Sequence, residues 1–498
     1  MRLAHNIAAN LGSKVWIAGT NFVAVPFLVR LLGIHSYGLI TFFTTLMGIV
    51  SLLDLGISTA VNRQLSRDGP DHPASADLAR SLEIIYWSVA AFLGLGIYGL
   101  AAWLASDWLA VPADQVLEVT RAIRIMAVVV FFRWPVALYS AALLGLQRQV
   151  LQNAIAAGAA TLQNLGSVLV ISLLTPSVAT YFICQAIIAS LWCVVSRQAL
   201  WGSFARRPRP PFASLQSLSA IWRFSLGVFA ITISSVILTQ LDKVVLSRIL
   251  TLEDFGYYGL ASSISNVITV IPTAVYAAAL PALSQSFSEG PDEKSLAKRY
   301  HSLCQALSVL VMAPALTLVL FSHELLRAYT GDARITERTY QLVSLLGVGN
   351  LFLAVMIMPL ALQLAGGWTR LSMLKNLFAL SVFVPTLLFA AHAFQGRGAA
   401  ATWILLTAGY FLLEVPFMHR RVLVGEQSRW YLVDVGRPLL ATLAVLGVAR
   451  AVLPADWAPQ PQIVFITIAA VLAMVASALT MPRLLATAQE VVARRISL

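Results

Sequence analysis

The chain has 498 residues, 59% of them hydrophobic and 11% charged, with a formal net charge of +12 and a mean hydropathy of +0.80. That is more apolar surface than one water-soluble core can hide, so a soluble enzyme is excluded and a bilayer protein is expected. The positive balance argues for no nucleic-acid partner, because the basic residues recur in alternate short loops rather than on one face of a domain.

Apolar runs of about 20 residues, the length that crosses roughly 30 Å of hydrocarbon as helix, follow one another along the chain, and about fourteen can be read. The first six lie near residues 11–32, 38–60, 82–105, 122–146, 151–174 and 178–200. Span one is predicted to stay in the mature protein, since it is longer than a signal-peptide core and lacks a compact basic start. It carries Lys14 and Asn21 on one face and ends near Arg30. Span two shows a small or polar stripe of Thr44, Gly48, Ser51 and Ser58, with Asp54 and Arg63 at its end. Near the centre of span four, in FFRWPV, Arg133 precedes Pro135, which removes a backbone donor.

The stretch Phe204 to Leu215, FARRPRPPFASL, reads as a cytoplasmic linker, because its prolines stop a helix and its arginines resist translocation. Six further spans follow near 222–248, 256–285, 301–322, 340–364, 372–393 and 398–419, and two more near 432–453 and 462–485. Span seven sets Thr232, Ser235, Thr239 and Asp242 at helical steps, with Lys243 beside the aspartate and Arg248 near the outer end. Span eight places Ser262, Asn266, Thr269, Thr273 and Tyr276 on one face. Glu414 lies in span twelve.

Arg30 to Gly38 reads RLLGIHSYG and Arg248 to Gly256 reads RILTLEDFG, so a shift of 218 positions superposes Arg30 on Arg248, Leu32 on Leu250 and Gly38 on Gly256. Since an even number of crossings separates the copies, the repeat is parallel. The expected fold is therefore an all-α polytopic membrane protein of about fourteen transmembrane helices. Two parallel six-helix lobes, residues 1–203 and 222–421, flank a linker at 204–221, and residues 422–498 hold two C-terminal helices. Most basic loop residues share the side of both termini, which the positive-inside rule makes cytoplasmic.

Polar stripes on spans one, two, seven and eight are expected to face a water-filled cavity between the halves; close helix packing is the alternative. A charge at mid-membrane costs about 2.5 to 3.5 kcal/mol on insertion scales, so it should face a cavity or a partner. Arg133 is the first candidate for a ligand-binding cation, with Lys14, Lys243, Arg30, Arg63 and Arg248 behind it. A helix-fixing contact would explain Arg133 too, Lys14 can snorkel, Arg63 can set topology, and Arg30 and Arg248 can anchor helix ends. Asp242, Asp54 and Glu414 are candidates for ion coupling. Neighbouring side chains diverge by about 100° on a helix, so Asp242 and Lys243 need not neutralise each other, and Glu414 has Arg420 and Arg421 as ready partners.

No catalytic constellation is legible. Gly94, Gly96 and Gly99 fit G-x-G-x-x-G but sit mid-span without a preceding strand. Cys184, Cys193 and Cys304 form neither a C-x-x-C nor a His cluster, so no disulfide framework or metal site is expected. No cofactor is expected either.

The opening pattern of Asn10, Gly19, Pro26, LVRLLGIHSYG and LLDLGISTAVNRQLS, together with LTQLDKVVLSRILTLEDFGYYGLASS, resembles the polysaccharide transporter branch of the multidrug/oligosaccharidyl-lipid/polysaccharide exporter superfamily. The resemblance implies two six-helix lobes and an alternating-access flippase for a polyprenyl diphosphate-linked glycan in the bacterial inner membrane, working with membrane lipids and polysaccharide polymerase or export machinery. It also implies that Asp242 holds the acidic position of helix seven used for cation coupling in some members. Such a role is physically reasonable: each glycan hydroxyl stripped of water costs roughly 4 to 8 kcal/mol in hydrocarbon, and a diphosphate calls for Arg and Lys. The rivals are a drug or cation antiporter of the same superfamily, a membrane glycosyltransferase or polymerase, and a scaffold.

Overall fold

Helices make up all regular structure among the residues that the computed structural model describes, namely 2–204, 212, 233–288, 293–454 and 456–481. The chain divides into two compact units, Met1–Gly259 and Leu260–Leu498.

In the first unit α1 (Arg2–Val50) is interrupted at Gly33, whose φ of 79° and ψ of 161° suit only a residue without Cβ. One 49-residue stretch therefore contains two helices. A short 3-10 turn leads to α2 (Ile57–Asp68). Next, α3 (Pro73–Trp103) starts where the His72 side chain accepts the Ala74 amide at 3.2 Å and proline occupies the first turn. Three more helices, α4 (Val116–Gly145), α5 (Gln149–Thr161) and α6 (Ser167–Leu173), precede α7 (Val178–Trp201), which Ser177 caps by accepting the Thr180 amide. Helix α8 covers residues 233–249, and α9 (Leu252–Ser265) begins in this unit.

Helix α4 is the centre of that unit, packing on both α3 and α7 and burying Ile123, Met126, Val129, Val130 and Leu138. A polar seam joins α1 to α5 and the turn after it. Asn10 pairs with Gln149 at 3.5 Å and with Asn153, Ser13 donates to the Asn153 carbonyl at 3.4 Å, Trp16 donates to Thr161 at 2.8 Å, and Asn164 donates to Thr20 at 3.1 Å. Amides and hydroxyls inside an apolar span need such partners.

The second unit holds α10 (Val270–Ser288), α11 (Glu293–Leu320), α12 (Ser322–Thr330), α13 (Ala333–Val355), α14 (Ile357–Ala365), α15 (Thr369–Gly409), α16 (Val415–His419), α17 (Gln427–Arg429), α18 (Arg437–Val452) and α19 (Pro459–Leu479). Its core joins Leu283, Tyr300, Met312, Met358, Leu362 and Trp430. Leu446, Ile466 and Ala473 of the last two helices pack with Ala313, Leu316 and Phe321. Helix α15 is broken at Gln395, with φ 54° and ψ −135°.

Eleven helical stretches among the described residues are long and apolar enough to cross a membrane, against the fourteen spans expected. Two features bear on the count. Gly12–Asp54 and Arg370–His419 run 43 and 50 residues, about twice the ~20 that one crossing needs, and contain the breaks at Gly33 and Gln395. Span seven, 222–248, falls partly outside the described residues, as do Thr232 and nearly all of the linker at 204–221.

Candidate functional site

The charges predicted inside the membrane have distinct surroundings in the first unit. Arg133 is half-buried on α4. Its guanidinium lies 5.7 Å from the Trp192 ring of α7, and among the described residues it meets no carboxylate at ion-pair distance. A cation held against an indole in a low dielectric keeps its charge available to an anion.

Asp242 on α8 is 6% exposed. It accepts the Tyr258 hydroxyl of α9 at 2.7 Å and lies 3.5 Å from Lys243 Nζ. Here the expectation that the neighbours need not neutralise each other is corrected: the flexible lysine stem curls back, also donating to the Thr239 carbonyl at 3.3 Å. Asp54 is held similarly, accepting the Ser58 hydroxyl at 2.6 Å and the Tyr86 hydroxyl of α3. Arg248 donates to the Trp108 carbonyl at 3.3 Å, and Trp108 donates to Ser247 at 3.1 Å. Lys14, Arg30 and Arg63 are exposed.

The stripe hydroxyls bond to their own helices. Thr44 donates to Thr41 at 2.8 Å, Ser51 to Gly48 at 2.6 Å, Thr239 to Ser235 at 3.0 Å, Thr269 to Asn266 at 2.7 Å and Thr273 to Thr269 at 2.7 Å. Satisfied in this way, Thr44, Ser51, Thr239 and Thr273 still stand exposed, as do Asn21, Ser235 and Asn266, whereas Ser262 is buried. A Cβ added to Gly48 would press on the Gln240 side chain of α8 at 2.9 Å, so spans two and seven approach each other there.

In the second unit Glu414 is buried and accepts Lys375 at 2.9 Å and Gln363 at 2.6 Å. Its partner is thus Lys375 rather than Arg420 or Arg421, which turn onto the Phe417 and Trp368 rings. Asn266 is linked through Asn350 at 3.4 Å to Trp403, whose indole donates at 3.0 Å. Sequence reasoning missed His301, fully buried between Asp434 and Glu426, with Gln305 donating to Asp434 at 2.8 Å.

It also missed Glu83. This carboxylate, 3% exposed, accepts Arg80 of its own helix at 2.7 Å, Arg197 of α7 at 2.7 Å, Tyr139 of α4 at 2.9 Å and Trp201 of α7 at 3.3 Å. The available signal was an acid inside an apolar span three residues after an arginine, in ARSLEIIYW. Among the described residues no His, Cys, Asp and Glu side chains cluster as a metal site.

Known proteins share both the sequence pattern and the helix arrangement. Residues 3–287 match the family model described as Polysaccharide biosynthesis protein, and residues 228–389 match MatE. The succinoglycan biosynthesis transport protein ExoT of Rhizobium meliloti (strain 1021) is 25% identical over 293 residues, covering 57% of this chain and 54% of that protein. The match thus spans about half the length of that relative. Among solved structures, the lipid II flippase MurJ in an inward closed conformation superposes with a TM-score of 0.77 at 13% identity, covering 97% of this chain and 100% of that one. The MATE multidrug transporter DinF-BH gives 0.62 at 16% identity over 84% and 95% of the two chains. At these identities the structures show a shared fold.

Proposed function

Because the chain belongs to the Polysaccharide biosynthesis protein family and is a multi-pass membrane protein of MurJ-like and MATE-like fold, we propose that it is a flippase rather than an enzyme. Its cargo is a polyprenyl diphosphate-linked oligosaccharide, carried across the bacterial inner membrane by alternating access. Fourteen crossings with both termini cytoplasmic, two six-helix lobes and coupling to an ion gradient belong to this reading, as does delivery of the glycan to a polymerase or export complex.

The observation that carries the reading is Arg133. A guanidinium half-buried in mid-helix, backed by Trp192 and with no carboxylate partner among the described residues, has the charge and fork geometry to bind a diphosphate. Lys14, Arg30, Arg63, Lys243 and Arg248 would extend the path for the anion, and Asn21, Thr44, Ser51, Ser235, Thr239, Asn266 and Thr273 would offer hydrogen bonds to glycan hydroxyls. Thr269 would join them, whereas Ser262 is buried and Thr232 lies outside the described residues. Asp242 and Asp54 in the first unit, and Glu414 by itself in the second, are the candidates for ion coupling.

The deciding experiment is a reconstituted flipping assay with a polyprenyl diphosphate oligosaccharide. Wild type should move the lipid and Arg133→Ala should not; equal rates would remove the site assignment. A second reading, export of a cationic drug, is favoured by the MatE match over residues 228–389 and by buried Asp242. Uptake of a cationic dye that depends on Asp242 but not on Arg133 would favour it instead.

A further inference from the structure

A cleft of about 420 Å³ opens where α3 and α7 lie on either side of α4, lined by Arg80, Ile84, Trp87, Ser88, Ala91 and Arg197, with Glu83 at its base. Two guanidiniums and one carboxylate leave a net charge of +1 there. Each guanidinium has five N–H donors, and Glu83 takes one from each, at 2.7 Å. The side chains of Arg80 and Arg197 remain 42% and 46% exposed. Trp87 is fixed as one wall, donating to Tyr139 at 3.1 Å and packing on Phe131 at 5.1 Å.

From this charged mouth an apolar track runs along both helices. On α3 the positions 84, 88, 91 and 95 recur at steps of four and three, hence on one face, and Leu95 is largely exposed. On α7, Val194, Leu191 and Ile187 are exposed, extending away from Arg197. The cations lie near helix ends, Arg197 one turn before Trp201 at the end of α7. Indoles such as Trp87 and Trp201 favour headgroup depth.

We propose that this groove binds an anionic glycerophospholipid of the surrounding bilayer, its phosphate between Arg80 and Arg197 and one acyl chain along Ala91, Leu95 and Val194. The net charge selects against a zwitterionic headgroup, whose ammonium would meet the same guanidiniums. The apolar track selects against free phosphate. Arg133 is not among the residues that line this groove, and the proposal stands whether or not the flippase reading holds.

The test counts bound lipid by native mass spectrometry on the purified full-length protein titrated with phosphatidylglycerol, phosphatidylcholine or inorganic phosphate. Phosphatidylglycerol should bind about ten-fold tighter than phosphatidylcholine, and Arg197→Gln should remove most of that preference, as expected for loss of a charge-assisted contact. Since Arg197→Gln also strips a partner from Glu83, Ala91→Trp serves as the second variant: it fills the track, leaves every charge in place and should weaken phosphatidylglycerol to a similar extent. Wild-type binding by Ala91→Trp overturns the proposal. So does displacement of the lipid by millimolar inorganic phosphate, which would mark an ion site, or binding of a polyprenyl diphosphate where phosphatidylglycerol does not bind, which would assign the groove to the cargo.

Discussion

Gly38 and Gly256 are reciprocal contacts. A Cβ on Gly38 would overlap the Leu252 carbonyl oxygen, and a Cβ on Gly256 would overlap the Ile34 carbonyl oxygen. Under the 218-residue shift Ile34 superposes on Leu252 and Gly38 on Gly256, so each hinge copy receives from the other what it gives. Small residues at a crossing let two backbones approach, and here the approach is too close for any side chain.

Gly38→Ala or Gly256→Ala should therefore force the two hinges apart. Backbone has less room to yield than a side chain, so each change is expected to cost about 1 to 3 kcal/mol, the usual range for overpacking. Gly96→Ala, where a Cβ would meet nothing within 4 Å, is the control. Thermal unfolding in detergent decides: equal midpoints for Gly38→Ala and Gly96→Ala would contradict the close crossing.

Arg133→Lys is expected to retain part of the transport that Arg133→Ala loses. Lysine keeps the charge but gives up the planar fork and its contact with the Trp192 ring at 5.7 Å. Initial flipping rates in proteoliposomes should order as arginine, lysine, alanine. An alanine variant as fast as the lysine one would mean that charge at this position is irrelevant.

Asp242→Asn should separate driving force from movement. The amide oxygen can still accept the Tyr258 hydroxyl, found at 2.7 Å from the carboxylate, and Lys243, which loses its anion at 3.5 Å, keeps the Thr239 carbonyl at 3.3 Å, so the variant should still fold. What disappears is the negative charge. Flipping by the variant should no longer respond to an imposed proton or sodium gradient; an undiminished response would place coupling elsewhere.

Lys375→Met leaves Glu414 buried without its cation, found at 2.9 Å. Breaking such a pair costs about 3 to 5 kcal/mol, whereas replacing both partners is often near neutral. The double variant Lys375→Met with Glu414→Gln should thus unfold at a higher temperature than Lys375→Met alone. The reverse order would show that Glu414 is not held by this lysine.

The spans were legible because hydropathy and helix length are local properties, and the hinge at Arg30 to Gly38 announced the break that the structure puts at Gly33. Partner choice was not legible. Glu83 meets Arg197 across 114 residues and Glu414 meets Lys375 across 39, distances over which no periodicity operates. Near neighbours misled for the opposite reason: Arg420 and Arg421 lie one to two turns from Glu414 in sequence, but the chain leaves the helix after His419 and carries them onto aromatic rings. Polar stripes could be found by spacing, yet spacing says nothing of whether a hydroxyl spends itself on its own helix, as Thr44 and Thr273 do.

Glu83 touches α3, α4 and α7 at one carboxylate. A knot at that point leaves these helices little freedom to slide past one another, so whatever motion accompanies turnover must carry them as a single block. Covalent staples placed between α3 and α7 near this acid should consequently be silent in a transport assay, and bending is expected instead at the helix breaks of Gly33 and Gln395.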